Sequence, residues 1–334
     1  MRLLIHHFYF TTIIFLVFCG ALCSCSDDPV DSHWLSIETG HTLSITSGKD
    51  NNIWVGTMVG TLLQINNTSR NYWDHINTNG AIGSYSFIRA GATDSSGNLW
   101  FTSDSGIVSK VDNIWMNYAG KDTICSLGGN SHNSIKFDSK NSLWAAGSCL
   151  VKFDGKIWST YNSENTSGKI PGTGLNNIDI DQVDNVWFSC SDKGAVSFDG
   201  NSWHNYNYTN TGGGLASNTI NGIAHDNDNN IWFATDSGLC KYDHEKWELY
   251  SPSTTNNVMK SSKIYSVVVD KNNTVWVGGY KAIYRISQGS ITEVFSDDPK
   301  ILIGDDPYTI IVDDQNNKWF GFYDKEYILR YSDD

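Results

Sequence analysis

The stretch Asp226–Asp243, DNDNNIWFATDSGLCKYD, decides the fold. It opens with five Asp and Asn residues, which close turns by accepting hydrogen bonds from nearby backbone amides. Ile231-Trp232-Phe233 then has the β-branched and aromatic character of a buried strand. A polar turn with a glycine leads to a second short strand, Gly238 to Tyr242. The same pattern returns along the whole chain as DNNIWVGT, SGNLWFTS, KNSLWAAG, VDNVWFSC, KNNTVWVGG and QNNKWFGF. Its tryptophans are Trp54, Trp100, Trp144, Trp187, Trp232, Trp276 and Trp319, spaced by 46, 44, 43, 45, 44 and 43 residues. A fixed period of this length is the mark of a repeat architecture.

Each unit reads as four strands, here called A to D. Strand A is apolar and ends at an aspartate six residues before the tryptophan: Asp94, Asp138, Asp181, Asp226, Asp270 and Asp313, with Gly48 in the first unit. Strand B holds the tryptophan, and strand C follows a polar loop. Asp154-Gly155 and Asp199-Gly200 are expected to form hairpins into strand D, with positive φ tolerated at both central positions. Strand D carries an aromatic pair, as in Trp158 with Tyr161 and Trp203 with Tyr206. Seven four-stranded units of about 44 residues without intervening helices describe an all-β, seven-bladed propeller. Pro171, Pro252, Pro299 and Pro307 are expected in connections between blades, where no ladder amide is lost.

The seventh unit ends at Tyr327–Tyr331, a strand C without its own strand D, while an orphan strand D pattern, Trp34 to Ile37, stands before the first unit. The N-terminal strand is therefore expected to complete the last blade and close the ring, so deleting residues 26–38 should destabilise the whole domain. This assignment accounts for all thirteen tryptophans. Seven mark strand B, and Trp34, Trp73, Trp115, Trp158, Trp203 and Trp247 mark strand D, with Ile291 in the sixth blade. The tryptophan surplus is then blade packing rather than a sugar-binding platform.

Composition agrees. Thirty of the 36 acidic residues are Asp, which favours turns over helices. The net charge of -13 makes nucleic acid a poor partner, because phosphate binding needs clustered Lys and Arg. After residue 25 no apolar run approaches the ~20 residues of a membrane-spanning helix. Residues 1–24 read as a signal peptide, with Arg2 in the charged region and Phe8 to Leu22 in the apolar one. Leu22-Cys23-Ser24-Cys25 resembles a bacterial lipobox with Cys25 as the acylated residue, an alternative to ordinary signal cleavage nearby. Residues 25–32 would be a lipidated tether and 33–334 the propeller. Ser26-Asp27-Asp28 resembles the acidic export signature of surface lipoproteins, so an outer-membrane lipoprotein on either the periplasmic or the cell-surface face is expected.

The consensus I-x-x-I-x-x-D-x-x-G-N-[IL]-W-[VF]-[GA]-T-x-x-G-[LI]-x-[KR]-[YF]-D resembles the two-component regulator propeller repeat, over nearly all of residues 33–334. The resemblance implies the sensor portion of hybrid histidine kinases of the Bacteroidota, which often sense glycan fragments. This sequence shows no kinase or further β-sandwich after the propeller, so a stand-alone lipoprotein is expected. The family carries no defined activity across to it.

Chemistry is sparse. The B–C loops hold Asp104, Asp192, Asp236, Tyr280 and Tyr323, and the connections 118–133, 161–177 and 206–218 are long and polar. Carboxylates that accept hydroxyl hydrogen bonds and tyrosines that stack on C–H groups would suit a sugar. Asp and Gly at these positions are equally turn chemistry. Asp226-Asn-Asp-Asn-Asn230 resembles the start of a calcium loop, but Ser237 stands where the bidentate Glu belongs. His225, in a place where other units hold Val269 or Phe137, reads as a packed core residue. His132 and His204 lie near connections without visible partners. Cys125, Cys149, Cys190 and Cys240 show no C-x-x-C spacing. No metal, cofactor or catalytic residue is assigned. The expected function is a non-enzymatic binding or sensor-like module for a glycan or protein ligand. A hydrolase or lyase on the same scaffold, as in the streptogramin lyases, and a structural subunit of a surface complex are the alternatives.

Overall fold

The computed structural model describes residues 33–66, 69–119, 133–172, 174–294, 305–323 and 325–333. The signal peptide, Cys25, the tether, Cys125, His132 and Pro299 fall outside the described residues. The body is a ring of seven four-stranded antiparallel sheets. Blade five is representative: Ile220–His225, Ile231–Thr235, Gly238–Tyr242 and Trp247–Tyr250 pair in that order from the centre outward. Blade seven is built from Pro307–Val312, Lys318–Phe322 and Tyr327–Tyr331, and Trp34–Glu38 adds its outer strand. The N-terminal strand thus closes the ring, and Trp34 is buried against Phe320 and Tyr331.

The aspartate that ends strand A does more than cap a turn. In blade five, Asp226 Oδ1 accepts from the Asp228 and Asn230 amides at 3.1 and 2.9 Å, while Oδ2 accepts from Trp232 Nε1 at 2.9 Å. The same indole bond is made by Asp94, Asp138, Asp181, Asp270 and Asp313, at 2.8 to 3.3 Å. The six-residue spacing exists because a buried indole N–H needs an acceptor. In blade one, a Cβ on Gly48 would lie 2.8 Å from Trp54 Nε1, so no carboxylate fits there.

In blades three to seven the third residue after this aspartate joins the turn to the preceding blade. Asn141, Asp184, Asn229, Asn273 and Asn316 take positive φ of 61 to 66°, which Asn and Asp tolerate. Their side-chain oxygens accept the amides of Ser95, Ser139, Gln182, Asn227 and Lys271 of the preceding blade, at 2.8 to 3.0 Å. Asp226-Asn-Asp-Asn-Asn230 is one of these turns, with the side-chain oxygens of Asp226 and Asn229 engaged within the fold. No group of side chains among the described residues is arranged to hold a metal ion.

Three sequence expectations need correction. Asp154 and Asp199 are not central turn residues. They open four-residue loops, each accepting two backbone amides, and only Gly155 and Gly200 take positive φ. Two-residue turns with both φ positive occur instead at Asp112-Asn113 and Gln288-Gly289. Pro307 opens strand A of blade seven rather than lying in a connection, as the first residue of a strand permits. Trp73 pairs with Leu62 and so occupies the place that Tyr161 takes opposite Leu150 in blade three. Arg70 stands in the usual tryptophan position of that strand.

Candidate functional site

The five sequence-nominated residues all sit in B–C turns, on the face that also carries the connections between blades. They fall in blades two, four, five, six and seven, so they are spread around the rim. Most of the carboxylates are already engaged. Asp104 pairs with Arg89, at 2.9 Å to Nη2 and 3.0 Å to Nε, and accepts the Phe87 amide. Asp236 accepts from Asn221 Nδ2 at 2.9 Å, and Asp192, at a positive φ of 57°, accepts from Thr219 Oγ1 at 3.3 Å. Turn and inter-strand chemistry therefore explains much of these three.

The long connections are also closed upon themselves. After strands D of blades one, three, four and five, Thr78, Thr166, Thr211 and Thr255 each donate to the carbonyl four residues back. Each then accepts the amide four residues ahead. The residues ahead are Ile82, Ile170, Leu215 and Met259, all fully buried. Each connection is a turn pinned by its threonine and plugged into the core by one apolar side chain. The pairs Asn-Thr at 77–78, 165–166 and 210–211, with Thr-Thr at 254–255, were the sequence signal for this device.

Blades six and seven differ. Here Tyr280, Tyr308 and Tyr323 are 45, 46 and 49% exposed. Tyr308 lies between Tyr265, with ring centroids 4.4 Å apart, and Tyr323, at 5.9 Å. Tyr265 is buried, and its hydroxyl donates to Asp306 Oδ2 at 2.8 Å. Burial and that carboxylate push its phenol well above the usual range. Asp306 Oδ1 accepts the Lys281 amide, and Asp305 accepts from Tyr327 Oη at 2.8 Å and pairs with Lys325 at 3.2 Å. Lys281 Nζ lies 5.3 Å from the Tyr280 ring centroid. The sector presents aromatic faces with bound carboxylates and ammonium groups at their rims. Tyr280 and Tyr323 are among the residues nominated from their B–C turns, whereas Tyr265, Tyr308, Asp305 and Asp306 come from strand A starts and were not nominated.

A channel of about 720 Å³ runs between the seven innermost strands. Side chains of Ser44, Asn133, Asn177, Asn221 and Ser266 each donate to a strand A carbonyl of the next blade, at 2.6 to 3.3 Å. His225 is not packed in the core: it lines this channel and bonds to Asp179. Cys190 and Cys240 are buried free thiols, pushed by burial up to about 12 and about 11, whereas Cys149 is disulfide-bonded. Among the described residues no helix is long and apolar enough to cross a membrane.

Comparison with known proteins agrees with this architecture. The family model described as "Two component regulator propeller" matches residues 214–237. No curated protein is significantly similar in sequence. Virginiamycin B lyase from Staphylococcus aureus superposes with a TM-score of 0.68 at 14% identity, covering 90% of this chain and 99% of that one. The extracellular domain of a hybrid two-component system from B. thetaiotaomicron gives 0.70 at 18% identity, covering 89% of this chain and 40% of that one. PorZ, a surface component of the type-IX secretion system of Porphyromonas gingivalis, gives 0.66 at 14%, covering 88% and 46%. At these identities the likeness is one of fold, and such scaffolds host unrelated activities. The chain is a seven-bladed β-propeller whose residues 214–237 match the two-component regulator propeller repeat.

Proposed function

We propose that the protein is a non-enzymatic binding module, held outside the cytoplasm by a lipid on Cys25, whose loop face takes a glycan. The observation that carries this reading is the sector of blades six and seven, where Tyr308 and Tyr323 expose their rings beside the Asp305 and Asp306 carboxylates. Sugar rings offer C–H faces that stack on tyrosine and hydroxyls that pair with carboxylates and lysines. The extracellular two-component neighbour supports an extracytoplasmic setting. The test is a glycan array probed with the full chain, with bound sugars recovered and analysed for cleavage. Binding without new products supports the proposal. Product formation would favour the hydrolase or lyase reading, and capture of a protein with no glycan signal would favour a protein ligand.

A further inference from the structure

Inside the channel, away from the loop-face tyrosines, three blades depart from the repeat pattern at nearly the same level. The strand A residue paired with the strand B tryptophan is Thr46, Ala92, Ala224, Val268 or Ile311 in five blades. Blades three and four carry Lys136 and Asp179 there, and blade five carries His225 one residue further on. All three line the channel. The other blades close with small or apolar residues at this level, so the fold does not require these charges. A carboxylate with only 8% of its side chain exposed is costly to keep unless it is paired. Departures from a repeat template that meet in one place are the pattern of a functional site.

Asp179 sits between the two bases. Its Oδ2 accepts from His225 Nδ1 at 2.7 Å, and its Oδ1 lies 3.7 Å from Lys136 Nζ. The second contact is an ion pair too long for a hydrogen bond. The other carboxylates near His225 are committed elsewhere. Asp181 is bonded to Asn185 and Trp187, Asp226 to its own turn and Trp232, and Asp270 to Trp276 and Lys318. The hydrogen bond that His225 donates to Asp179 raises the His225 pKa against the opposing effect of burial. His225 Nε2 has no protein partner among the described residues. Lys136 and the imidazolium therefore bring two donors without acceptors to a lumen whose remaining wall at this level is largely Ala92, Ala224, Val268 and Ile311.

We propose that Lys136 and His225, oriented by Asp179, form a site in the channel for the oxyanion group, carboxylate or phosphate, of a small ligand. This site is separate from the loop-face sector and stands whether or not that face binds a glycan. Binding is coupled to protonation and weakens as pH rises through the His225 pKa.

The test is NMR of the full chain, following the imidazole carbon–proton signal of His225, assigned by its loss in His225→Gln. Galacturonate, inorganic phosphate and glucose are titrated separately near pH 6. The expected result is a saturable shift with galacturonate or phosphate but not with glucose. The responding anion tells a carboxylate ligand from a phosphate one. Lys136→Met, at a half-exposed position, should weaken that binding about tenfold or more. No shift with either anion, an equal shift with glucose, or unchanged affinity in Lys136→Met overturns the proposal.

Discussion

Replacing Asp226 with alanine tests whether the strand A aspartate holds each blade together. Its carboxylate accepts from the Asp228 amide, the Asn230 amide and side chain, and Trp232 Nε1. Asp226, Asn230 and Trp232 are all buried, with 4, 8 and 3% exposure. Alanine leaves the Trp232 indole N–H, the Asn230 amide and the Asn230 side chain without an acceptor. At about 1–3 kcal/mol for each buried unsatisfied group, the sum starts near 3 kcal/mol. Water entering the space left by the carboxylate keeps the loss near that lower end, at about 3–5 kcal/mol. Urea unfolding followed by far-UV circular dichroism measures it. Trp232→Phe removes one donor of the same network, so the pair should couple by about 1–2 kcal/mol in a double-mutant cycle. An Asp226→Ala loss below about 1 kcal/mol, or strict additivity with Trp232→Phe, would refute the reasoning.

Trp34→Ala empties a buried site against Phe320 and Tyr331 in the closing strand. It should cost about 3–5 kcal/mol in urea unfolding, far more than an open ring would lose. Lys318 is fully buried, bound to Asp270 and Asp333 and lying over Trp276, where other blades hold Ile, Leu or Val. Lys318→Leu should cost about 3 kcal/mol, the low end for a broken buried pair, because Asp270 keeps its turn and indole donors. An equally stable variant would show the pair to be dispensable. Because its hydrogen bond to Asp179 raises the pKa of His225 in the folded state, the folded protein holds that proton more tightly than the unfolded chain. The resulting stabilisation is complete below the ordinary value of 6.5 and is lost as pH climbs through the raised one. The melting temperature of His225→Gln should therefore fall furthest below the wild type at low pH and approach it at high pH.

The blades were legible because nearly all carry the same local signals: an aspartate that ends strand A, missing only in the first unit, a tryptophan six residues later, and a strand D aromatic, missing only in the sixth blade. Ring closure was legible too, since a C-terminal strand C without a partner needs Trp34–Glu38. What the sequence hid were relations between blades. The indole bond to Asp226 is local, yet the bond from Asn227 to Asn273 spans 46 residues, and nothing in one turn declares it. Trp73 misled because an aromatic count does not set register; only its pairing with Leu62 shows that it replaces a tyrosine. At the loop face, the repeat pattern put Tyr280 and Tyr323 in B–C turns, where the structure has them, but could not show that Asp104 is consumed by Arg89. Tyr308 lies 15 residues from Tyr323 in sequence, and strand pairing brings the two rings together. His225 looked like core because its sister residues are Val269 and Phe137, and only the meeting of three blades puts it beside Asp179.

The glycan-binding reading is tested most directly by isothermal titration of the strongest array sugar against wild type, Tyr308→Ala, Tyr323→Ala and Asp192→Asn. The account predicts that each tyrosine variant loses about tenfold in affinity, near the upper end of what one aromatic contact contributes. Asp192→Asn, on the opposite part of the rim, should bind like wild type. Wild-type affinity in both tyrosine variants, or a selective loss in Asp192→Asn, would contradict it.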